Sequence, residues 1–280
     1  MYWASRTNGL LYSYDNGQAW RQVAAPLNTG FIYSAAVHPK DRCTIFATNG
    51  RQVFKSDDCS RSWKEMYIEG DASRSVRSIA ILPFSPHHVY ILENNCDMLK
   101  SEDGGASWQR AYSFGANIGR MIFDPNDRDL VYVSTMKNGL YRSRDSGATW
   151  ENLSDRMSGF PGALGYRRFY IYPGEPARIY WVSKYGILLS KNEGTDWEPI
   201  NLITPPGSAV IYSFAVNPKN EKEMYYTATI NNRSTFYRTS DGGKNWVTRK
   251  IPSGQIPVVL RVHPEQTSWL FMGFTIPPKQ

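Results

Sequence analysis

SRDSGATW, from Ser143 to Trp150, decides the reading of this chain, because variants of it occur at five other places. They are SYDNGQAW (Ser13 to Trp20), SDDCSRSW (Ser56 to Trp63), SEDGGASW (Ser101 to Trp108), SKNEGTDW (Ser190 to Trp197) and TSDGGKNW (Thr239 to Trp246). Trp20, Trp63, Trp108, Trp150, Trp197 and Trp246 follow one another at intervals of 43, 45, 42, 47 and 49 residues. One match to S/T-x-D-x-G-x-x-W would carry little weight. Six in register define a structural repeat.

Two further features recur in phase with the boxes. A β-type run centred on an aromatic precedes each one: Tyr2, Phe46, Tyr90, Tyr132, Tyr180 and Tyr225, with Leu270 marking a seventh run. An apolar run ending in proline comes earlier still: Tyr33 to Pro39, Arg77 to Pro83, Gly119 to Pro125, Arg167 to Pro173, Tyr212 to Pro218 and Val258 to Pro264. Each unit therefore reads as strands A (ending in Pro), B (aromatic), C (entering the box) and D (leaving it at Trp). Four short strands in about 45 residues is the spacing of a propeller blade. The fold class expected is an all-β, six-bladed β-propeller of four-stranded antiparallel blades with Asp-box turns. The alternative is part of a seven-bladed or larger ring.

The chain starts in a strand B and stops after a strand A. Residues 1–280 then read as one propeller domain, its ring closed where N-terminal strands (1–25) and C-terminal strands (257–275) share a blade. One strand-B segment, Tyr2 to Ser5 or Trp269 to Gly273, is surplus in that scheme.

Hydrophobic residues make up 41% and charged residues 20% of the chain, a globular balance. No apolar stretch approaches the ~20 residues of a membrane-spanning helix. The opening MYWASRTNGL lacks the basic and apolar regions of a signal peptide, so a cytoplasmic, monomeric protein is expected if Met1 is the natural start. The net charge of +7 favours acidic partners without specifying one. Cys43, Cys59 and Cys96 are odd in number and lack CxxC spacing, so neither a disulfide framework nor a zinc site is expected.

The boxes resemble the Asp-box (BNR) repeats of sialidases, sortilin-type receptors, xyloglucan hydrolases and photosystem II assembly-factor propellers. The resemblance covers nearly the whole chain and implies the blade. It implies no single activity, because those families do different things. It also implies that the boxes lie on the face opposite the ligand. The residues themselves point to a structural role. Asp15, Asp58, Asp103, Asp145 and Asp241 can accept backbone N–H bonds in the C–D turn. Glycine supplies the positive φ of the bend, and the six tryptophans pack against the blade. Ser60 stands at the glycine position of the second box, and Asn192 at the aspartate position of the fifth. Box carboxylates that each stand in a separate blade make no metal cage, and no cofactor motif is present.

Aligning strand A on its proline exposes a second pattern. Four and two residues before it every side chain is apolar, from Ala35 and Val37 to Leu260 and Val262. Six before it stand Tyr33, Arg77, Gly119, Arg167, Tyr212 and Val258; five before it, Ser34, Ser78, Arg120, Arg168, Ser213 and Val259. Arg77, Arg120, Arg167 and Arg168, with Arg261 deeper, and Tyr33, Tyr166 and Tyr212 are the expected ligand-binding set. Guanidinium forks suit carboxylate or phosphate. The expected function is a non-catalytic propeller that binds a protein or an anionic or carbohydrate ligand on its top face, with nucleic acid not expected.

The alternative is a sialidase-like or other glycoside hydrolase. The arginines partly match the triad that resemblance to sialidases implies, but Met1 to Leu10 holds no F/Y-R-I-P element. Glycosidases need two carboxyl groups across a cleft. The sequence nominates no pair, only the loop acids Glu69, Asp71, Glu93 and Asp155. His38 and His263 share a V-H-P position at A–B turns and read as turn residues. The longest irregular connection, Leu153 to Gly165, joins a strand D to the next strand A.

Overall fold

A computed structural model describes residues 1–174, 176–251 and 253–275, apart from the side chains of Tyr166 and Arg167. The strands form antiparallel sheets in simple chain order. The first sheet holds β1 (Tyr2–Ala4), β2 (Leu10–Tyr12) and β3 (Arg21–Gln22). Four-stranded sheets follow: β4 (Ser34–Val37), β5 (Ile45–Thr48), β6 (Gln52–Ser56), β7 (Lys64–Ile68); then β8 (Val76–Ile81), β9 (Val89–Glu93), β10 (Asp97–Ser101), β11 (Gln109–Ser113). Next come β12 (Ile118–Phe123), β13 (Val131–Thr135), β14 (Leu140–Ser143), β15 (Glu151–Asn152); and β16 (Tyr166–Tyr172), β17 (Arg178–Ser183), β18 (Ile187–Ser190), β19 (Glu198–Pro199). The last are β20 (Val210–Asn217), β21 (Asn220–Ile230), β22 (Arg233–Thr239), β23 (Val247–Lys250), and the pair β24 (Ile256–Val262) and β25 (Leu270–Thr275). Six sheets carry one Asp box each, and the all-β propeller fold class read from the sequence is the one observed. Among the described residues the only helix is a 3-10 turn, Ser154–Met157, and no helix is long and apolar enough to cross a membrane.

The chain divides into two compact units. The first comprises Met1–Phe123, Arg128–Thr135 and Ser143–Thr149; the second comprises Asp124–Asp127, Met136–Arg142 and Trp150–Gln280. In the first, Phe46, Val53, Val76, Ile79, Val89 and Ile91 form one apolar cluster. In the second, Val182, Ile187, Phe214, Tyr226 and Ala228 form another. Strand B is buried throughout in three sheets, since a central strand has neighbours on both edges and both faces. Every residue of β5, β9 and β13 is buried.

The box chemistry is uniform. Ser101 Oγ accepts the Gly105 N–H at 2.7 Å and donates to Asp103 Oδ1 at 2.8 Å. Asp103 accepts the Ser107 N–H at 2.9 Å and the Ser107 hydroxyl at 2.6 Å. Ser56 with Asp58, Ser143 with Asp145, and Thr239 with Asp241 repeat the arrangement. These donors hold the carboxylates below their ordinary range. Asp58 falls to about 2, chiefly through the Ser62 hydroxyl, and Asp241 to about 2, chiefly through the Asn245 amide. The two departures also fit. Asn192 Oδ1 accepts the Asp196 N–H at 2.9 Å, and its amide donates to Asp196 Oδ2 at 2.8 Å. Ser60 takes the glycine conformation (φ 64°), and its hydroxyl bonds the Tyr2 hydroxyl at 2.9 Å. Glycine is doubly required at Gly105, where φ is +94° and a Cβ would lie 2.9 Å from the Phe46 ring.

In five of the six A strands the break seen six residues before the proline is a β-bulge, the exception being Tyr33 ahead of β4. The register slips between Val76 and Ser78, Ile118 and Arg120, Tyr166 and Arg168, Ile211 and Ser213, and Pro257 and Val259. Arg77, Gly119, Arg167, Tyr212 and Val258 are the extra residues. A bulge removes one residue from the pleat and re-aims its side chain, so a core-type residue is not demanded there.

One expectation is corrected. Cys43 and Cys59 are joined by a disulfide despite their uninformative spacing. The A–B turn and the box turn of one sheet lie side by side, with the Cys59 N–H donating to the Cys43 carbonyl at 3.1 Å. Cys96 is free.

Replacing Ser101 by Ala strands the buried Gly105 N–H. Chemical denaturation should show a loss of about 1–3 kcal/mol. Ser101→Thr, which copies the sixth box, should lose less than about 1 kcal/mol. Equal stability of Ser101→Ala and the native chain would show that the hydroxyl does not hold the turn.

Candidate functional site

The end of each sheet away from its Asp box carries the D–A connections and B–C turns. In the first unit this end gathers three of the four loop acids. Glu69 follows β7, Glu93 ends β9, and Asp71 lies between Glu69 and β8. The Tyr67 hydroxyl lies 2.9 Å from Glu69 Oε2 and 3.0 Å from Glu93 Oε1. The Asp71 N–H donates to Glu69 Oε1 at 2.8 Å. Glu93 is 1% exposed and Glu69 6%.

A phenol has one hydrogen and cannot donate to two carboxylates at once, so this arrangement calls for a further proton. Burial, followed by the hydrogen-bonded Glu69 carboxyl, pushes Glu93 up to about 7. Burial also works to raise Glu69, but its bonds to Glu93, the Asp71 amide and Tyr67 outweigh it and hold Glu69 below its ordinary value. Tyr67 is pushed up by burial and by both carboxyls. The pair therefore shares one proton near neutrality, with Glu93 as the acid and Glu69 as the carboxylate.

Asp71 is different. Its side chain is 49% exposed, and the Ser73 hydroxyl and N–H, at 2.7 and 2.9 Å, keep it ionised. Arg74 Nε lies 3.3 Å from Asp71 Oδ2. Asn94 fastens this segment, accepting the Ser75 N–H at 2.7 Å and donating to the Ser73 carbonyl at 3.3 Å. Next to it the Arg77 guanidinium stands 4.5 Å over the Tyr33 ring, which packs at 4.2 Å on Phe31. A Cβ on Gly50 would lie 2.6 Å from the Tyr33 ring, so glycine there makes room for this stack.

Of the other expected ligand residues, Arg120 in the first unit has its backbone pinned by Ser134, whose hydroxyl meets its N–H at 3.0 Å. In the second unit, Arg168 Nε donates to the Tyr212 carbonyl at 3.3 Å. Arg261 stands 5.6 Å over the Tyr170 ring. The side chains of Tyr166 and Arg167 lie outside the described residues. Asp155 belongs to the 3-10 turn of the second unit. The connection around it is packed, since Leu153, Met157 and Ala163 are buried and Trp181 Nε1 donates to the Ala163 carbonyl at 2.8 Å.

Comparison with known proteins bears on the activity. No family model matches the chain. It is 27% identical over 263 residues to the xyloglucanase Xgh74A of Acetivibrio thermocellus, covering 85% of this chain and 28% of that protein. In structure it resembles the GH74 xyloglucanase of Xanthomonas campestris, with a TM-score of 0.72 and 17% identity over 97% of this chain and 48% of the other. It also resembles YCF48 bound to D1 peptide, with a TM-score of 0.73 and 14% identity over 97% and 85%. The solved structures establish a β-propeller fold. The chain spans about a quarter of the length of that curated relative. The xyloglucanases overturn the expectation of a non-catalytic binding propeller and favour the alternative, a glycoside hydrolase.

The Glu93 assignment has a pH consequence. The folded chain keeps this proton up to about pH 7, whereas a free glutamate releases it near 4.5. Release thus favours unfolding, and this contribution to stability should be lost as pH rises from about 4.5 to about 7. The gain from Glu69 falls below that window. Thermal melts of Glu93→Gln should lack the decline seen in the native chain; parallel profiles would refute the assignment.

Proposed function

We propose that this chain is the propeller of a glycoside hydrolase acting on a β-glucan of the xyloglucan class. The observation that carries the reading is its similarity to a xyloglucanase over 263 residues. The acid cluster of the first unit supplies the chemistry. Inverting and retaining enzymes place their two carboxyl groups roughly 6.5–9.5 and 5–5.5 Å apart to admit water or a sugar. Glu69 and Glu93 are in hydrogen-bond contact, so a sugar cannot sit between them. They act as one proton-holding unit. Asp71 is the second group: exposed, ionised and steadied by Arg74, as a base or nucleophile must be. Glu93, pushed up to about 7, keeps its proton up to the edge of neutrality, as a general acid must. Because Glu93 is buried, donation to a glycosidic oxygen requires the 70–75 segment to lift, and Asn94 is the anchor to be released.

Xyloglucan incubated with the protein should gain reducing ends. Asp71→Asn and Glu93→Gln should each lower kcat by about 10²-fold or more. Asn94→Ala should alter kcat and KM together, as a change in gating does. Absence of turnover on xyloglucan and on other β-glucans would overturn the reading.

A further inference from the structure

The second unit holds a basic pocket that the hydrolase reading does not use. It lies where the proline-bearing ends of β16, β20 and β24 meet, has a volume of about 180 Å³, and is lined by Tyr170, Tyr172, Tyr180, Pro218 and Arg261 among others. No acidic side chain lines it. The nearby Glu221 is taken by Arg178 at 2.9 Å. Arg261 stands over the Tyr170 ring and has no acidic partner among the described residues. On β16, Arg168 and Tyr170 are two residues apart and share one face, with the buried Phe169 between them on the other. Arg168 Nε donates to the Tyr212 carbonyl at 3.3 Å. Arg168 lies outside the residues that line the pocket, so Arg261 is the guanidinium it presents beside the Tyr170 ring.

We propose that Arg261 and Tyr170 in this pocket form a binding site for a small carboxylate-bearing ligand, sized for one sugar acid. The chemistry follows from the side chains. A guanidinium offers paired N–H donors that match a carboxylate in its own plane. Cation–π attraction to the Tyr170 ring, 5.6 Å away, helps to hold the guanidinium in place and consumes none of its N–H donors. The tyrosine faces and Pro218 give apolar surface for a ring or short carbon chain. The volume falls below the ~300–1,000 Å³ of pockets for drug-sized ligands, which excludes an oligosaccharide chain. A neutral ligand would leave the Arg261 donors unmatched.

Calorimetric titration of the full chain with glucuronate, succinate and glucose tests this. Glucuronate should bind saturably and glucose should not. Arg261→Gln should weaken glucuronate at least tenfold, and Arg261→Lys less than that, since it keeps the charge but loses the fork. Arg261 is exposed, so these variants should keep the native circular dichroism. Glucuronate binding above succinate assigns the site to sugar acids; equal binding assigns it to short carboxylates in general, and both uphold it. No saturable glucuronate binding, equal binding of glucose, or an unchanged affinity in Arg261→Gln would overturn it. None of these readings depends on glucan hydrolysis, so the two proposals fail separately.

Discussion

One small contact underlies the rest of this structure: a serine or threonine hydroxyl that accepts a glycine or serine N–H four residues on while donating to an Asx oxygen. It closes the C–D hairpin of each box-bearing sheet. The amide is buried in five of the six and part-buried in the first, so without that oxygen it would carry an unmet desolvation cost. The bend also directs the box tryptophan. Trp108 Nε1 donates to the Met66 carbonyl of β7, and Trp246 Nε1 to the Asn201 carbonyl beyond β19, each in the preceding sheet. Trp63 and Trp197 bury the same N–H with no protein partner among the described residues. What the six share is therefore half-buried apolar packing, with the hydrogen bond added where a carbonyl is in reach.

Fixing one end of every sheet leaves the other free to vary. The bulges of the A strands lie toward that end, and each takes one residue out of the alternation that the core enforces. Arg77, Gly119, Arg167, Tyr212 and Val258 occupy equivalent bulge positions and have almost nothing in common chemically. A core position tolerates little such variety. Variation confined to the bulges lets binding chemistry change without disturbing the packing beneath.

The fold was legible because its determinants are local. Box, glycine and tryptophan fall within eight residues, and the A-strand bulge announces itself as an interruption in an apolar pattern. The site was only half legible. Residue type marked Arg77 and Tyr33, and the structure brings that pair together; it could not say that Arg77 would spend itself on an aromatic face. Glu69, Asp71 and Glu93 were visible only as loop acids. Glu69 follows one sheet and Glu93 ends the second strand of the next, so their contact exists only once the sheets are packed. The Cys43–Cys59 bond was hidden for the same reason, since the two turns are neighbours in space but not in any recognised spacing.

The acid cluster shows how a site can be set by where its cations do not go. Arg74 is the cation felt by both carboxyls of the pair, yet its Nε is engaged with Asp71. Arg77, at the bulge opposite the end of β9, turns onto Tyr33. Two buried carboxyl groups without a dedicated guanidinium cannot both ionise cheaply, so a proton takes the place of the missing cation. Tyr67 steadies the pair but cannot supply that charge, because burial holds its own hydrogen firmly. Moving Arg77 from the ring to Glu93 would leave two plain carboxylates in an ion-pair network. As folded, the rim keeps an ionised Asp71 in the connection before β8 and a proton on Glu93 at the end of β9, and that difference in protonation is what acid–base chemistry requires.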